Sequence, residues 1–165
     1  MKRLAIVLVL ALAGCSSATP APVATTEAPQ PLVQAVVPVV PDTLDATTAE
    51  AETKRLADAI QSLVTDIVYV DDHSQLNAAT DSTAAFYGVI RTITVDATTD
   101  PVVLAQSISG VLKASGWNED ETTQDVGLTL DALDQSGWFL LLGGDSSVAG
   151  QSVVTIQLAS PDLPE

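Results

Sequence analysis

The chain is poor in the residue types that most often carry chemistry. It has one cysteine and one histidine in 165 residues, and its 6 Lys+Arg stand against 21 Asp+Glu, a formal net charge of -15. A lone cysteine excludes an internal disulfide framework and a cysteine-based zinc cage. A lone histidine leaves no histidine-rich metal site. The acidic excess argues against nucleic acid, because phosphate binding needs Lys and Arg to replace counterions. Aromatic residues make up only 4% of the chain. No P-loop, no GxGxxG after a strand, no G-x-S-x-G elbow and no repeat of fixed period occurs.

The apolar residues that are present are unevenly placed. Lys2 and Arg3 precede an apolar run from Leu4 to Leu12, about half the ~20 residues that a membrane span requires. The run leads into Leu12-Ala13-Gly14-Cys15, a leucine and two small residues before a cysteine. This resembles the lipobox of bacterial lipoprotein signals. The resemblance implies that residues 1–14 are a removable signal peptide. It also implies that Cys15 becomes a lipidated N-terminus on the extracytoplasmic face of the cell membrane. The mature part then has four basic residues against 21 acidic ones, a charge of -17.

Residues 15–43 read as a Pro/Ala/Thr-rich disordered tether. Residues 16–43 hold six of the nine prolines and no glycine or aromatic residue. Proline removes backbone donors and blocks helix, so the stretch is expected to be extended, reaching at most roughly 80–90 Å at ~3.1 Å per residue. The apolar Val36-Val37-Pro38-Val39-Val40 is the part suited to pack on a domain edge. A single domain is expected over 44–160, followed by a short tail, 161–165.

Within that domain the periodicity predicts two helices and four strands in the order α-β-α-β-β-β. The first helix spans about Thr48–Val68, with Thr47 and Glu50 at capping-box spacing and an apolar stripe of Leu56, Ile60, Leu63, Val64 and Ile67. The second has Asp100 as N-cap, Pro101 at N1, a stripe of Leu104, Ile108, Val111 and Leu112, and Gly116-Trp117 at its end. The strands are Phe86–Val95, one around Val126–Asp131, one around Trp138–Leu142 that is apolar on both faces, and Val154–Leu158. In the second strand Val126, Leu128 and Leu130 are expected to form the apolar face. The fold class is α+β, a two-layer sandwich with a four-stranded, mainly antiparallel sheet and both helices on one face.

Two polar segments are expected to be loops. Asp71-Asp72-His73-Ser74, in the connection 69–83, holds the letters of a hydrolase triad. Four consecutive residues in a loop do not converge as a triad requires. A turn or cap is the simplest role, with metal binding and catalysis as alternatives. Asn118-Glu119-Asp120-Glu121 with Asp125 has the oxygens for calcium, but Thr123 stands where an EF-type loop needs glycine. A solvated loop is the plainer reading. Arg91 lies on an apolar strand face and calls for a carboxylate partner, from the protein or from a ligand. Asp71, Asp72, His73 and Arg91 are therefore the candidate polar site. Neither a cofactor nor a metal is indicated.

Asp71-Asp72-His73-Ser74-Gln75-Leu76, Gly116-Trp117, Gly137-Trp138 and Ser160-Pro161 together resemble a group of uncharacterised small actinobacterial lipoproteins. That group often has a cysteine after the Asp-Asp-x-Ser segment and another after Ser-Pro. Here Ala78 or Ala79 and Asp162 take those places. The paired loss implies that the loop and the C-terminus lie close together. The group brings no activity and no catalytic residues. The expected function is a lipid-anchored, non-enzymatic binding or structural module facing a basic envelope protein or ligand. The alternatives are a small-ligand or lipid carrier, with a pocket between sheet and helices lined by Trp138 and Phe139, and an envelope hydrolase built on His73 or on a carboxylate pair among Asp72, Asp125 and Asp131.

Overall fold

A computed structural model describes residues 34–80 and 83–164. The signal segment 1–14, Cys15 and the tether up to residue 33 lie outside the described residues. The elements are α1 (Ala46–Gln61), β1 (Ile67–Asn77), β2 (Phe86–Val95), α2 (Pro101–Ala114), β3 (Asn118–Asp125), β4 (Leu128–Gln135), β5 (Trp138–Asp145) and β6 (Val153–Ala159). The class is α+β, as expected. The sheet, however, has six strands rather than four, in the order β1-β2-β6-β5-β4-β3, and every neighbouring pair is antiparallel.

The two unexpected strands are the two edges of the sheet. β3 comes from a polar segment expected to be a loop, and β1 from the end of the expected first helix and the polar connection after it. β1 is exposed along almost its whole length, and β3 is exposed at every position. Hydrophobic alternation reveals a strand only when one face is buried. An edge strand of charged side chains carries no such signal, yet its polarity protects the sheet from pairing with other chains. Backbone bonding to β2 and to β4 makes these segments strands.

The first helix is shorter than its apolar pattern suggested. It starts at Asp45, not Thr47: the Thr48 N–H donates to Asp45 Oδ1 at 2.8 Å, and the Asp45 N–H donates to Thr48 Oγ1 at 2.9 Å. The Thr48 backbone N–H first, and then the Thr48 hydroxyl, which donates to Asp45 Oδ1 at 3.1 Å, lower the pKa of the Asp45 carboxyl. The helix stops at Gln61, and Asp66, at φ 57°, turns the chain into β1. Ile67, read as the last member of the stripe, is therefore an exposed strand residue. The second helix follows its sequence closely. Asp100 Oδ1 accepts from the Val102 and Val103 N–H groups. Gly116, at φ 100°, ends the helix, with Gly116 N–H donating to Lys113 O and Trp117 N–H to Leu112 O, both at 3.1 Å. These two bonds form a Schellman ending.

Both helices cover one face of the sheet. There β2 contributes Tyr87, Val89, Ile93 and Val95, β5 contributes Leu140 and Leu142, and β6 contributes Val154, Ile156 and Leu158, all buried. Trp138 is fully buried among them and its indole Nε1–H donates to Thr53 Oγ1 of α1 at 3.2 Å. β5 is central, as its two apolar faces predicted. The register of β4 is the reverse of the expected one. Thr129, Asp131 and Leu133 face the helices, whereas Leu130 is exposed on the other side. The cause is the β4–β5 hairpin. Ser136 and Gly137 both have positive φ, 51° and 87°, and Gln135 pairs with Trp138. A two-residue turn of this kind locks parity across the hairpin. Once Trp138 is buried, Gln135, Leu133, Asp131 and Thr129 must follow it inward.

The end of the expected tether is packed. Val36 is buried in the core, and its carbonyl accepts from Trp117 Nε1 at 2.9 Å. Arg55 of α1 donates to Ala35 O and Val37 O. The packed unit therefore includes residues N-terminal to Leu44. At the other end, the Leu163 N–H donates to Ala85 O at 2.8 Å, and the backbones of Ser160 and Tyr87 are bonded. The C-terminal segment and the β1–β2 connection lie side by side. No helix among the described residues is long and apolar enough to cross a membrane.

Candidate functional site

The four residues of the candidate polar site divide between the two faces of the sheet. Side chains alternate along a strand, so Asp72 projects toward the helices while Asp71 and His73 project away from them. On the helix side, Arg91 is buried and donates through Nε to Asp72 Oδ2 at 3.0 Å and through Nη2 to Asp58 Oδ1 at 2.7 Å. Asp58, on α1, has no mark in the sequence beyond its acidity. It enters only because α1 crosses β2. Both carboxylates are substantially exposed. Arg91 thus ties the edge strand and the first helix to β2 within the protein. Its remaining nitrogen, Nη1, is buried without a hydrogen bond.

On the other side, His73 Nε2 lies 3.3 Å from Asp71 Oδ2 and both side chains are exposed. The carboxylates considered for hydrolysis do not share a cleft. Asp72 on β1 and Asp131 on β4 are four strands apart, about 19 Å at ~4.8 Å per strand. Asp125 pairs with Leu128, on the face opposite to Asp131. Among the described residues no group of three or more His, Cys, Asp or Glu is placed to hold a metal ion.

Among the described residues nothing covers the sheet face away from the helices, and that face is concave. A groove of about 450 Å³ runs across β1, β2, β6 and β5. Its apolar floor is formed by Phe86, Ile90, Phe139 and Leu141, and its polar rim includes His73, Gln75, Asn77 and Gln157. Gly88 lies in the floor, where the absence of a side chain leaves space beside Asn77 and Phe86. Ile90 and Phe139 are 46% and 39% exposed, which is high for large apolar residues in a central part of a sheet. The pocket expected between the sheet and the helices, with Trp138 in its lining, is instead close-packed core. Trp138 and Phe139 lie on opposite faces, and only Phe139 reaches the groove.

No match was found among protein-family models, curated proteins or solved structures. The four basic residues of the described chain are all on the helix side or on the helices, and each is paired: Lys54 with Glu50, Arg55 with Glu52, Arg91 with Asp58 and Asp72, and Lys113 with Glu119. Strand pairing puts Asp71, Asp125, Asp134 and Asp145 on the open face, which has no Lys or Arg among the described residues. Its surface is an apolar centre inside an acidic margin.

Sequence reasoning placed Phe86 and Ile90 together on the second face of their strand. It missed the groove because one wall depends on β1 being a strand and the floor depends on β2 lying next to β6. Neither follows from local pattern.

Proposed function

We propose that this chain is a lipid-anchored, extracytoplasmic binding module that docks a basic protein partner on the open face of its sheet. The observation that carries the reading is that face itself: an uncovered apolar groove with a margin of carboxylates and no cation. An apolar patch rimmed by polar residues marks an interaction site, and acidic margins favour a basic partner by steering its approach. The groove is open along its length. It suits the apolar side chains of a partner better than a ligand that must be carried fully enclosed. The lipobox-like segment ending in Cys15 supports the anchor and the outer-face location, and the resemblance to small actinobacterial lipoproteins supports the same setting. The mature charge of -17 keeps the domain away from anionic surfaces.

A photo-crosslinking side chain at Phe139 in the full chain, expressed in its host, tests the docking face. Crosslinking to a discrete partner is expected from position 139 and not from position 103 on the exposed side of α2. It should be lost with Ile90→Asp and weakened by high salt. Equal crosslinking from both positions would overturn the reading. The anchor is tested separately. Cys15→Ala should abolish incorporation of labelled acyl chains and release the protein from membranes.

A second reading is a carrier of a small apolar ligand in the same groove. It is favoured by the groove's volume, which lies within the ~300–1,000 Å³ of ordinary ligand sites. In that case native mass spectrometry of the purified protein finds a bound apolar molecule, and Ile90→Asp removes it.

A further inference from the structure

A second concavity lies on the helix side, where α2 overhangs the β3–β4 edge. Residues Gln106, Ser109 and Lys113 lie along one stripe of α2. They face Glu119, Thr122 and Gln124 of β3, with Asp131 of β4 at the floor, around a space of about 260 Å³. Every side chain in this lining is polar.

Two of these groups are buried without a partner. The Asp131 residue is 4% exposed, and its carboxylate makes no hydrogen bond or ion pair with any described residue. Its attraction to Lys113 acts at longer range and adds to the raised pKa of that lysine, after the larger effect of the Lys113–Glu119 hydrogen bond. Ser109 is 1% exposed and its hydroxyl has no hydrogen-bond partner. The Asp131 carboxylate lines the pocket with no cation held against it, and the Ser109 hydroxyl beside it is buried without a partner, which is costly. Lys113 does not resolve this, because its Nζ is held by Glu119 Oε2 at 2.6 Å at the mouth. The lining thus has one cation and two carboxylates, leaving one negative charge over.

We propose that this pocket is a binding site for a primary ammonium group, held by the Asp131 carboxylate and the Ser109 hydroxyl. An ammonium brings one positive charge and three donors and has no acceptor. The pocket offers the matching set: a carboxylate, a hydroxyl oxygen, and the amide oxygens of Gln106 and Gln124. The space is too large for a bare metal ion, and only one of its two carboxylates is unpaired. The ammonium belongs either to a small free amine or to a lysine side chain. This site is on the opposite side of the sheet from the groove, so it stands or falls independently of the docking proposal.

The test is titration of the ¹⁵N-labelled mature chain, residues 15–165, with n-butylammonium chloride, using n-butanol and potassium chloride at equal concentration as controls. Saturable amide shifts are expected at Ser109, Thr122 and Asp131 with butylammonium alone. Asp131→Asn, which keeps the shape, should weaken binding at least tenfold, and Ser109→Ala should weaken it several-fold. Tighter binding of Nα-acetyl-lysine amide than of butylammonium would assign the group to a peptide side chain, and the reverse to a free amine. The proposal is overturned if no shift saturates, if Asp131→Asn binds as well as the parent, or if potassium gives the same response.

Discussion

Trp138→Ala is expected to lower the stability of the domain by about 3–5 kcal/mol, the usual cost of emptying a large aromatic site in a core. Trp138 is fully buried, and its indole N–H donates to Thr53 Oγ1 of α1. The residue therefore both fills space between sheet and helices and fixes α1 over β5. At roughly 4 °C per kcal/mol for a domain of this size, the thermal midpoint falls by about 12–20 °C. Trp138→Phe retains most of the packing and loses the hydrogen bond, so it costs about 1–2 kcal/mol. The informative comparison is with the next residue. Phe139 is 39% exposed on the open face, and Phe139→Ala is expected to cost less than about 1 kcal/mol while emptying the floor of the groove. Thermal unfolding of the three variants reads the difference. Equal losses for Trp138→Ala and Phe139→Ala would contradict the assignment of the two faces.

The second large effect is at Gly144. A Cβ at this position would stand 2.2 Å from Pro101 O, 2.7 Å from its carbonyl carbon and 2.9 Å from Val102 Cα. All three are backbone atoms of the first turn of α2, so no side chain can move aside to relieve the clash. Gly144→Ala must lift the start of α2 from β5. Its cost is expected at or above the upper end of the ~1–3 kcal/mol typical of overpacked cores. The lift also strains the Asp100 cap, whose carboxylate holds the Val102 and Val103 N–H groups. Gly110 provides the opposite case on the same helix. It is exposed and a Cβ there meets nothing within 4 Å. Gly110→Ala is therefore expected to stabilise the domain by about 0.5–1 kcal/mol through helix propensity. Denaturant midpoints that move in the same direction for the two substitutions would show that the α2–β5 contact is not as close as described.

Where one face of an element is buried, the chain announced it. Leu56 and Ile60 of α1, the stripe of α2, the Asp100-Pro101 start and Gly116-Trp117 end of α2, and the alternation in β2, β5 and β6 were legible, because burial forces apolar residues into a period of 3.6 or 2, whereas the α1 stripe was carried too far, through Ile67. The edge strands were not legible. Residues 118–125 are polar on both faces, and 67–77 open with an apolar Ile67–Val70 run that continues the helical stripe before turning polar, so only hydrogen bonds to a neighbouring strand identify them. The β4 register was misread for a related reason. Val126, Leu128 and Leu130 look like a core face, but parity in a two-residue hairpin is inherited from Trp138. One consequence is that Asp131 is drawn into the interior, where it creates the polar pocket. The candidate cluster Asp71, Asp72, His73 and Arg91 was half legible. The need of Arg91 for a carboxylate could be argued from its strand face, whereas Asp58 as the second partner depends on how α1 crosses the sheet.

By itself the amino-acid sequence determined the acidity, the poverty in metal-ligating and nucleophilic side chains, the α+β class and the identity of most core residues, because these depend on composition and on local period. The tertiary structure alone decided the number of strands, which of two adjacent aromatic residues is core and which is surface, where the four cations are used up, and that an apolar groove and an acidic polar pocket lie on opposite sides of one sheet. Those properties arise from pairing between residues far apart in the chain. Local pattern carries no information about which partner a strand edge finds, and a shift of one residue exchanges the two faces.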